Sequence, residues 1–340
     1  MTMFKRVSVI VMLAIYLVLI PVFFRGSQYV LHVFIMCSQL SIVSLTVRVV
    51  FNVGELSFGQ VVFVMAGAYA SAILSTKVGL PFWLSLPLSG LISAAFAGLI
   101  GRAIFRLRGT YFSILTVILT EVARQGIRSL KYLGGPQGFH GIPRPEAVHI
   151  GKLILVPQFD ATDRLPYYFV TAALLTITLL ALWRLENSPT GAAFKATRQN
   201  AAVAQSLGIN VARHRILALS ISAFFAGLVG SFTAHYVTIF YPETFSLWNS
   251  IDYVLYAFIG GIGSIWGPII GSFALTWLWE YLGPSAQYRM VLFAVLVIVV
   301  ILFLPGGIVS LVKSFPSLGG VLGKVLPRRA VQPDKKRRER

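Results

Sequence analysis

The chain has 340 residues, of which 56% are hydrophobic and only 12% charged. A soluble domain carries about 25% charged residues, so the composition excludes a soluble globular fold. A net charge of +18 would point to nucleic acid in a soluble chain; here basic loops beside membrane spans account for it, and no nucleic-acid partner is expected.

A bilayer core of about 30 Å is crossed by about 20 apolar residues as helix. In chain order, the stretches 7–24, 29–50, 57–76, 82–104, 110–130, 166–184, 214–238, 247–263, 265–283 and 288–312 qualify. Gly and polar residues interrupt the third, eighth and ninth. Lys5-Arg6 before the first run imitates a secretion signal, but there is no A-x-A cleavage site, so the run reads as a retained span. With both termini in the cytoplasm, twenty of the 29 Lys and Arg fall on the inside, including those after Leu311. The expected fold class is an all-α polytopic membrane protein of about ten transmembrane helices. One membrane domain, 1–312, includes an outer loop at 131–165. A basic cytoplasmic tail, 313–340, ends in "PRRAVQPDKKRRER". It reads as a solvated anchor, with anionic lipid as the alternative contact.

Several chemistries are missing from the sequence. Cys37 stands alone, and His32, His140, His149, His214 and His235 are scattered, so neither a disulfide within the chain nor a Cys/His metal cluster is expected. There is no phosphate loop: Gly323-Lys324 is followed by Val325. No G-x-S-x-G elbow is present. No cofactor, metal or catalytic residue is expected, and any uphill transport takes its energy from a partner or an ion gradient.

The segment "SPTGAAFKATRQNAAVAQSLGIN", 188–210, is too polar to span a bilayer. Ser188-Pro189 is a helix start. Asn200 caps a second short helix, 201–207, and Gly208 supplies a left-handed stop. Ala193, Phe194, Ala196, Ala201, Val203, Ala204 and Leu207 form an apolar side in which Phe194 and Leu207 are the large knobs. The result is a cytoplasmic helical hairpin offering an apolar patch. An amphipathic loop resting on lipid is the alternative.

Two interruptions share a spacing: Phe51-x-x-Gly54-x-x-Ser57 and Phe258-x-x-Gly261-x-x-Ser264. Interrupted helices expose backbone groups, and transporters place substrate near such breaks at mid-membrane. Close helix packing explains glycines such as Gly267 and Gly271 equally well. Charges inside spans are paired or functional. Glu121 falls mid-span, with Arg124 and Gln125 on the same helical face. A structural ion pair and a pathway group are both open readings of it. Asp252 and Glu280 lie toward the outer ends of their spans.

The stretch "GAAFKATRQNAAVAQSLGIN" resembles the cytoplasmic coupling segment of ABC-importer permeases, in particular the LivM-like permeases of branched-chain amino acid transporters. "NVGELSFGQVVFVMAGAYASAIL" (52–74), "RLRGTYFSILTVILTEVAR" (106–124), "GGPQGFHGIP" (134–143) and "FIGGIGSIWGPIIGS" (258–272) are similar to further blocks of that family, in the same order. The resemblance implies a transport subunit rather than an enzyme, in a bacterial inner membrane. It implies a second homologous permease, two cytoplasmic ATPase subunits and a periplasmic substrate-binding protein, working by alternating access. Phe194, Lys195, Arg198, Ala204, Leu207 and Gly208 would carry ATPase coupling. Gly54, Ser57, Gln60, Glu121, Gly261 and Ser264 are candidates for the translocation path. Gln199, Ala201 and Gln205 stand where acidic residues are usual in the family, so the docked partner should offer a neutral or acidic groove. The implied substrate is a branched-chain or other amino acid, with urea or another small polar solute as the alternative. An ion-coupled secondary transporter is a rival that would need no docking hairpin. A membrane enzyme is a second rival, without any clustered nucleophile, base or metal ligands.

Overall fold

A computed structural model describes residue 16 and residues 20–281 apart from 106, 108, 151, 152, 157, 158 and 161, together with residues 295, 298 and 306–310. The first and last expected spans lie largely outside these residues, and the basic tail lies wholly outside them.

In chain order the helices are α1 (Ile20–Phe24), α2 (Gln28–Phe51), α3 (Gln60–Thr76), α4 (Phe82–Ile104), α5 (Thr110–Ser129), α6 (Leu165–Glu186), α7 (Pro189–Gln199), α8 (Ala201–Ser206), α9 (Val211–Val237), α10 (Leu247–Gly260) and α11 (Gly267–Tyr281). Among the described residues, α2, α4, α6 and α9 are long and apolar enough to cross a membrane, and α3 is a shorter apolar helix. Helix α5 is 20 residues long but carries Glu121, Arg124 and Arg128. The expected spans at 247–263 and 265–283 are the shorter helices α10 and α11, of 14 and 15 residues, parted by a turn at the Gly-rich stretch. The fold is helical but not purely α. In the loop between α5 and α6, β1 (Val148–Ile150) pairs antiparallel with β2 (Leu153–Val156). This short hairpin is confined to a connecting loop, and the elements that form the bundle are helices, as the all-α expectation has it. Val148-His149-Ile150 alternates over three residues only and Leu153–Val156 is an unbroken apolar run of four, both too short to stand out from a loop.

Helix α2 is the axis of the structure. From Ser41 to Val50 it is buried all round, as expected of a helix enclosed by others. It packs against α6, α9, α10 and α11. Helix α9 forms the second spine, against α3 and α4. Their crossing is close because side chains are missing from it. A Cβ on Gly67 would lie 2.2 Å from the Gly227 carbonyl oxygen, and one on Gly230 only 1.9 Å from that of Val64. Small residues let helices approach to backbone contact where lipid supplies no hydrophobic drive for association.

Helix α9 has 27 residues, about 40 Å at 1.5 Å per residue. It connects two ends of different character. At one end the loop after α5 folds over the bundle: Phe139 bridges to Phe240, and Tyr69 packs edge-on against both rings. The buried His235 ring joins the Pro143 carbonyl (2.7 Å) to Ser71 (2.9 Å). At the opposite end lies the α7–α8 hairpin.

Candidate functional site at the hairpin junction

The hairpin folds as its sequence dictates. Ser188 accepts from the Gly191 amide (3.3 Å) and opens α7 at Pro189. Asn200 accepts from the amides of Ala202 (3.0 Å) and Val203 (3.2 Å) and opens α8. Gly208 then takes a φ of +83°. The two large knobs, however, part company. Phe194 is 2% exposed and its ring faces His214, inside the chain, whereas Leu207 is 75% exposed. Ala204 is also buried. The expectation that Phe194 and Leu207 form one outward patch is corrected: Phe194 anchors the hairpin, and Val203 with Leu207 makes its exposed apolar side. Packing against α9 decides this, and composition alone cannot. Lys195, Arg198 and Gly208 are exposed, with the Arg198 guanidinium lying over the Phe51 ring at 3.9 Å.

Both ends of the hairpin are tied to one short segment. Before it, Glu186 closes α6 and pairs with Arg48 of α2, while the Asn52 amide donates to the same carboxylate (3.2 Å). After it, Arg215 in the second turn of α9 pairs with Glu55 at 2.9 Å. Glu55 also accepts from the Gly109 amide (3.0 Å), just before α5. Arg215 and Glu55 are buried. A buried charge is tolerated when paired and further hydrogen-bonded, and both carboxylates meet that condition. Sequence reasoning missed Arg48, Glu55, Glu186 and Arg215 as a set. Each stands at the end of an apolar run, where a charge reads as a membrane-boundary marker.

Residues 55–59 form the bridge from this knot into the bundle. They are not helical. Ser113 donates to the Leu56 carbonyl (2.7 Å), Thr116 accepts from the Phe58 amide (3.1 Å), and Thr120 lies at 3.4 Å from the Phe58 carbonyl. The segment therefore runs along α5 from its first turn to its middle. Backbone without helical partners survives at membrane depth only when other groups satisfy it, and a stripe of hydroxyls on α5 does so. Ser57 is buried and accepts from the Gly59 amide (3.2 Å). Gln60 is wholly buried at the start of α3. Its Oε1 accepts from Ser222 (3.1 Å) and Thr46 (3.4 Å), and its Nε2 has no partner among the described residues.

The second break mirrors the first. Gly54 and Gly261 stand at the ends of α2 and α10 with φ of +88° and +112°, backbone that side chains with a Cβ rarely adopt. The two breaks touch: the Phe51 and Phe258 rings lie 5.6 Å apart, and Arg48 Nε donates to the Ile262 carbonyl (2.9 Å). Ser264 is half-buried, its amide bonded to the Gly261 carbonyl (3.1 Å). Gly54, Ser57, Gln60, Gly261 and Ser264 are thus neighbours of one junction. Gly54 and Gly261 sit at its hairpin end rather than mid-bundle, and a Cβ on Gly54 would meet the Arg198 backbone at 3.2 Å. Gly267 and Gly271 serve packing, each facing a carbonyl of Gly261 or Tyr256. Glu121 lies apart from the junction on the outer face of α5, bound to Arg124 at 2.6 Å and to Gln125 at 3.0 Å. Among the described residues, no group of three or more His, Cys, Asp or Glu could hold a metal ion.

The family profile described as the permease component of the branched-chain amino acid transport system matches residues 29–302. The chain is 30% identical over 275 residues to the high-affinity branched-chain amino acid transport system permease protein LivM of Salmonella typhimurium, covering 76% of this chain and 65% of that one. It is 29% identical, with the same coverage, to the Escherichia coli protein of that name. It is 23% identical over 311 residues to the ribose import permease protein RbsC of Haemophilus influenzae, covering 87% of this chain and 90% of that one. The aligned stretch therefore falls just short of two thirds of the LivM proteins' own length. No solved structure matches. The profile covers the bundle, the hairpin and both glycine breaks, and the chain belongs to the family of permease components of branched-chain amino acid transport systems.

Proposed function

We propose that the chain is one permease subunit of an ATP-driven importer, seated in a bacterial inner membrane with both termini in the cytoplasm. A second, homologous permease completes the pathway. Two cytoplasmic ATPase subunits drive it, and a periplasmic binding protein delivers an amino acid, branched-chain in the first instance. The membrane domain and the tail are the two parts of the chain, divided near residue 312. The observation that carries this reading is the α7–α8 hairpin, which presents Val203 and Leu207 outward while ion pairs hold both of its ends. A lever must be firm at its attachment and open at its contact. Closure of the ATPase dimer would push the exposed side, and Glu186–Arg48 and Arg215–Glu55 would pass the motion to residues 48–59. The similarity to a ribose import permease supports a second reading within the same architecture, a small polar solute in place of the amino acid.

The test is Leu207→Asp. A charge in a dry contact costs several kcal/mol, and about 1.4 kcal/mol is already tenfold in affinity. Co-purification of the ATPase and uptake should both fall at equal membrane abundance. Normal uptake with normal co-purification would remove the hairpin as the docking element.

A further inference from the structure

Helix α5 has three longitudinal sides. One is buried, with Phe112, Thr116 and Thr120. A second is exposed and apolar, with Tyr111, Ile118 and Val122. The third carries Ile114, Val117, Glu121, Arg124, Gln125 and Arg128, whose spacing by threes and fours places them along one line of a helix. This stripe changes character at its middle: apolar before Glu121, polar from there to the loop end. Glu121 is the twelfth of 20 residues, about 17 Å from the start of a helix about 30 Å long, so it stands near the middle of α5. Its side chain is 48% exposed and that of Arg124 20%. Both Arg124 Nε (3.1 Å) and Nη2 (2.6 Å) engage the carboxylate, and Gln125 adds a third donor at 3.0 Å. At the loop end of the stripe Arg128 lies 3.7 Å from Glu243. Ion pairs inside a membrane face a protein interior or a water-filled passage, not lipid. The packing among the described residues leaves about half of the Glu121 side chain open.

Resting on the importer reading above, we propose that this stripe of α5 lines the passage, and that Glu121 and Arg124 together receive the charged head group of a zwitterionic amino acid. The chemistry of the pair selects this ligand. A guanidinium takes a carboxylate through two parallel hydrogen bonds, and a carboxylate takes an ammonium. The resting pair is neutral and so is a zwitterion, so exchange of partners leaves the net charge inside the membrane unchanged. A lone anion or cation would leave one member of the pair unmatched. Gln125 holds the Glu121 carboxylate in place during the exchange. Val117 and Ile114, one and two turns before Glu121 on the same line, offer an apolar surface for the substrate side chain. The stripe therefore reads the head group and tolerates different apolar side chains.

The experiment uses the whole transporter, this chain with its second permease, ATPase and loaded binding protein, in proteoliposomes. Uptake of radiolabelled leucine by the unaltered complex is read first. Absence of ATP-dependent uptake of any solute would defeat the importer reading itself. ATP-dependent uptake of an uncharged sugar but not leucine would leave that reading standing and overturn the zwitterion assignment. Glu121→Gln and Arg124→Gln should each lower leucine uptake by at least about tenfold, through a raised KM, with co-purification of all partners unchanged. Uptake within about twofold of the unaltered complex, or loss of uptake together with loss of assembly, overturns the proposal; the second outcome marks a structural ion pair. An independent arm uses Glu121→Cys and Val122→Cys in a Cys37→Ser background. The two positions share one depth and face different sides of the helix. A hydrophilic methanethiosulfonate should modify position 121 at least about tenfold faster than 122. Equal rates would mean that the stripe does not line water.

Discussion

Arg215 and Glu55 meet at 2.9 Å with side chains 8% and 1% exposed, and the pair spans the joint between α9 and the extended segment that leads into α3. Breaking such a pair from one side leaves a buried charge and costs about 3–5 kcal/mol. Glu55→Ala should therefore lower the thermal denaturation midpoint of the purified protein sharply, and Arg215→Met added to it should recover part of the loss. A midpoint unchanged by Glu55→Ala would show that the pair does not hold the joint.

The two knobs of the hairpin should behave differently. Phe194→Asp puts a charge into a site that is 2% exposed in the chain itself, so it should reduce the amount of folded protein in the membrane before any partner is considered. Leu207→Asp should leave folding intact, since the residue is 75% exposed. Abundance and melting of the isolated subunit separate the two. Equal behaviour would contradict the opposed orientation of the side chains.

Helix contact at the α3–α9 crossing should not tolerate a methyl group. Gly230→Ala sets a carbon 1.9 Å from the Val64 carbonyl oxygen, so the helices must separate. Overpacking costs about 1–3 kcal/mol where side chains can give way, and here the neighbour is backbone. Gly126→Ala, with nothing within 4 Å, is the matched control and should be neutral. A stable Gly230→Ala protein would mean that the crossing is looser than the structure has it.

Orientation follows from the distribution of basic residues. In a Cys37→Ser background, Gln137→Cys should react with an impermeant thiol reagent applied to intact cells, and Gln199→Cys only after the membrane is opened. Both positions are exposed and lie at opposite ends of the bundle. Labelling of Gln199→Cys from outside would invert the proposed topology.

Much of this architecture is written locally, where each residue acts through its immediate neighbours. Ser188, Asn200 and Gly208 mark the hairpin because capping and left-handed turns need only a few adjacent atoms, and the structure has those hydrogen bonds and that φ. The Glu121–Arg124–Gln125 contact is likewise a property of helical spacing. The repeat of Phe-x-x-Gly in 51–54 and 258–261 is visible as a pattern, and both glycines take positive φ. The family resemblance was also legible, in blocks of sequence that the profile match covers. What the sequence alone could not decide is which distant residues meet. Glu55 finds Arg215 across 160 positions of sequence and Arg48 finds Glu186 across 138. Those contacts depend on how α2, α6 and α9 come together in the bundle, in which α9 is itself seated against α3 and α4 by backbone approach at Gly67, Gly227 and Gly230. The burial of Phe194 was undecidable for the same reason. A short helix with apolar residues on it has no inside until α9 supplies one, and only the packed bundle could assign Phe194 to the core and Leu207 to the surface.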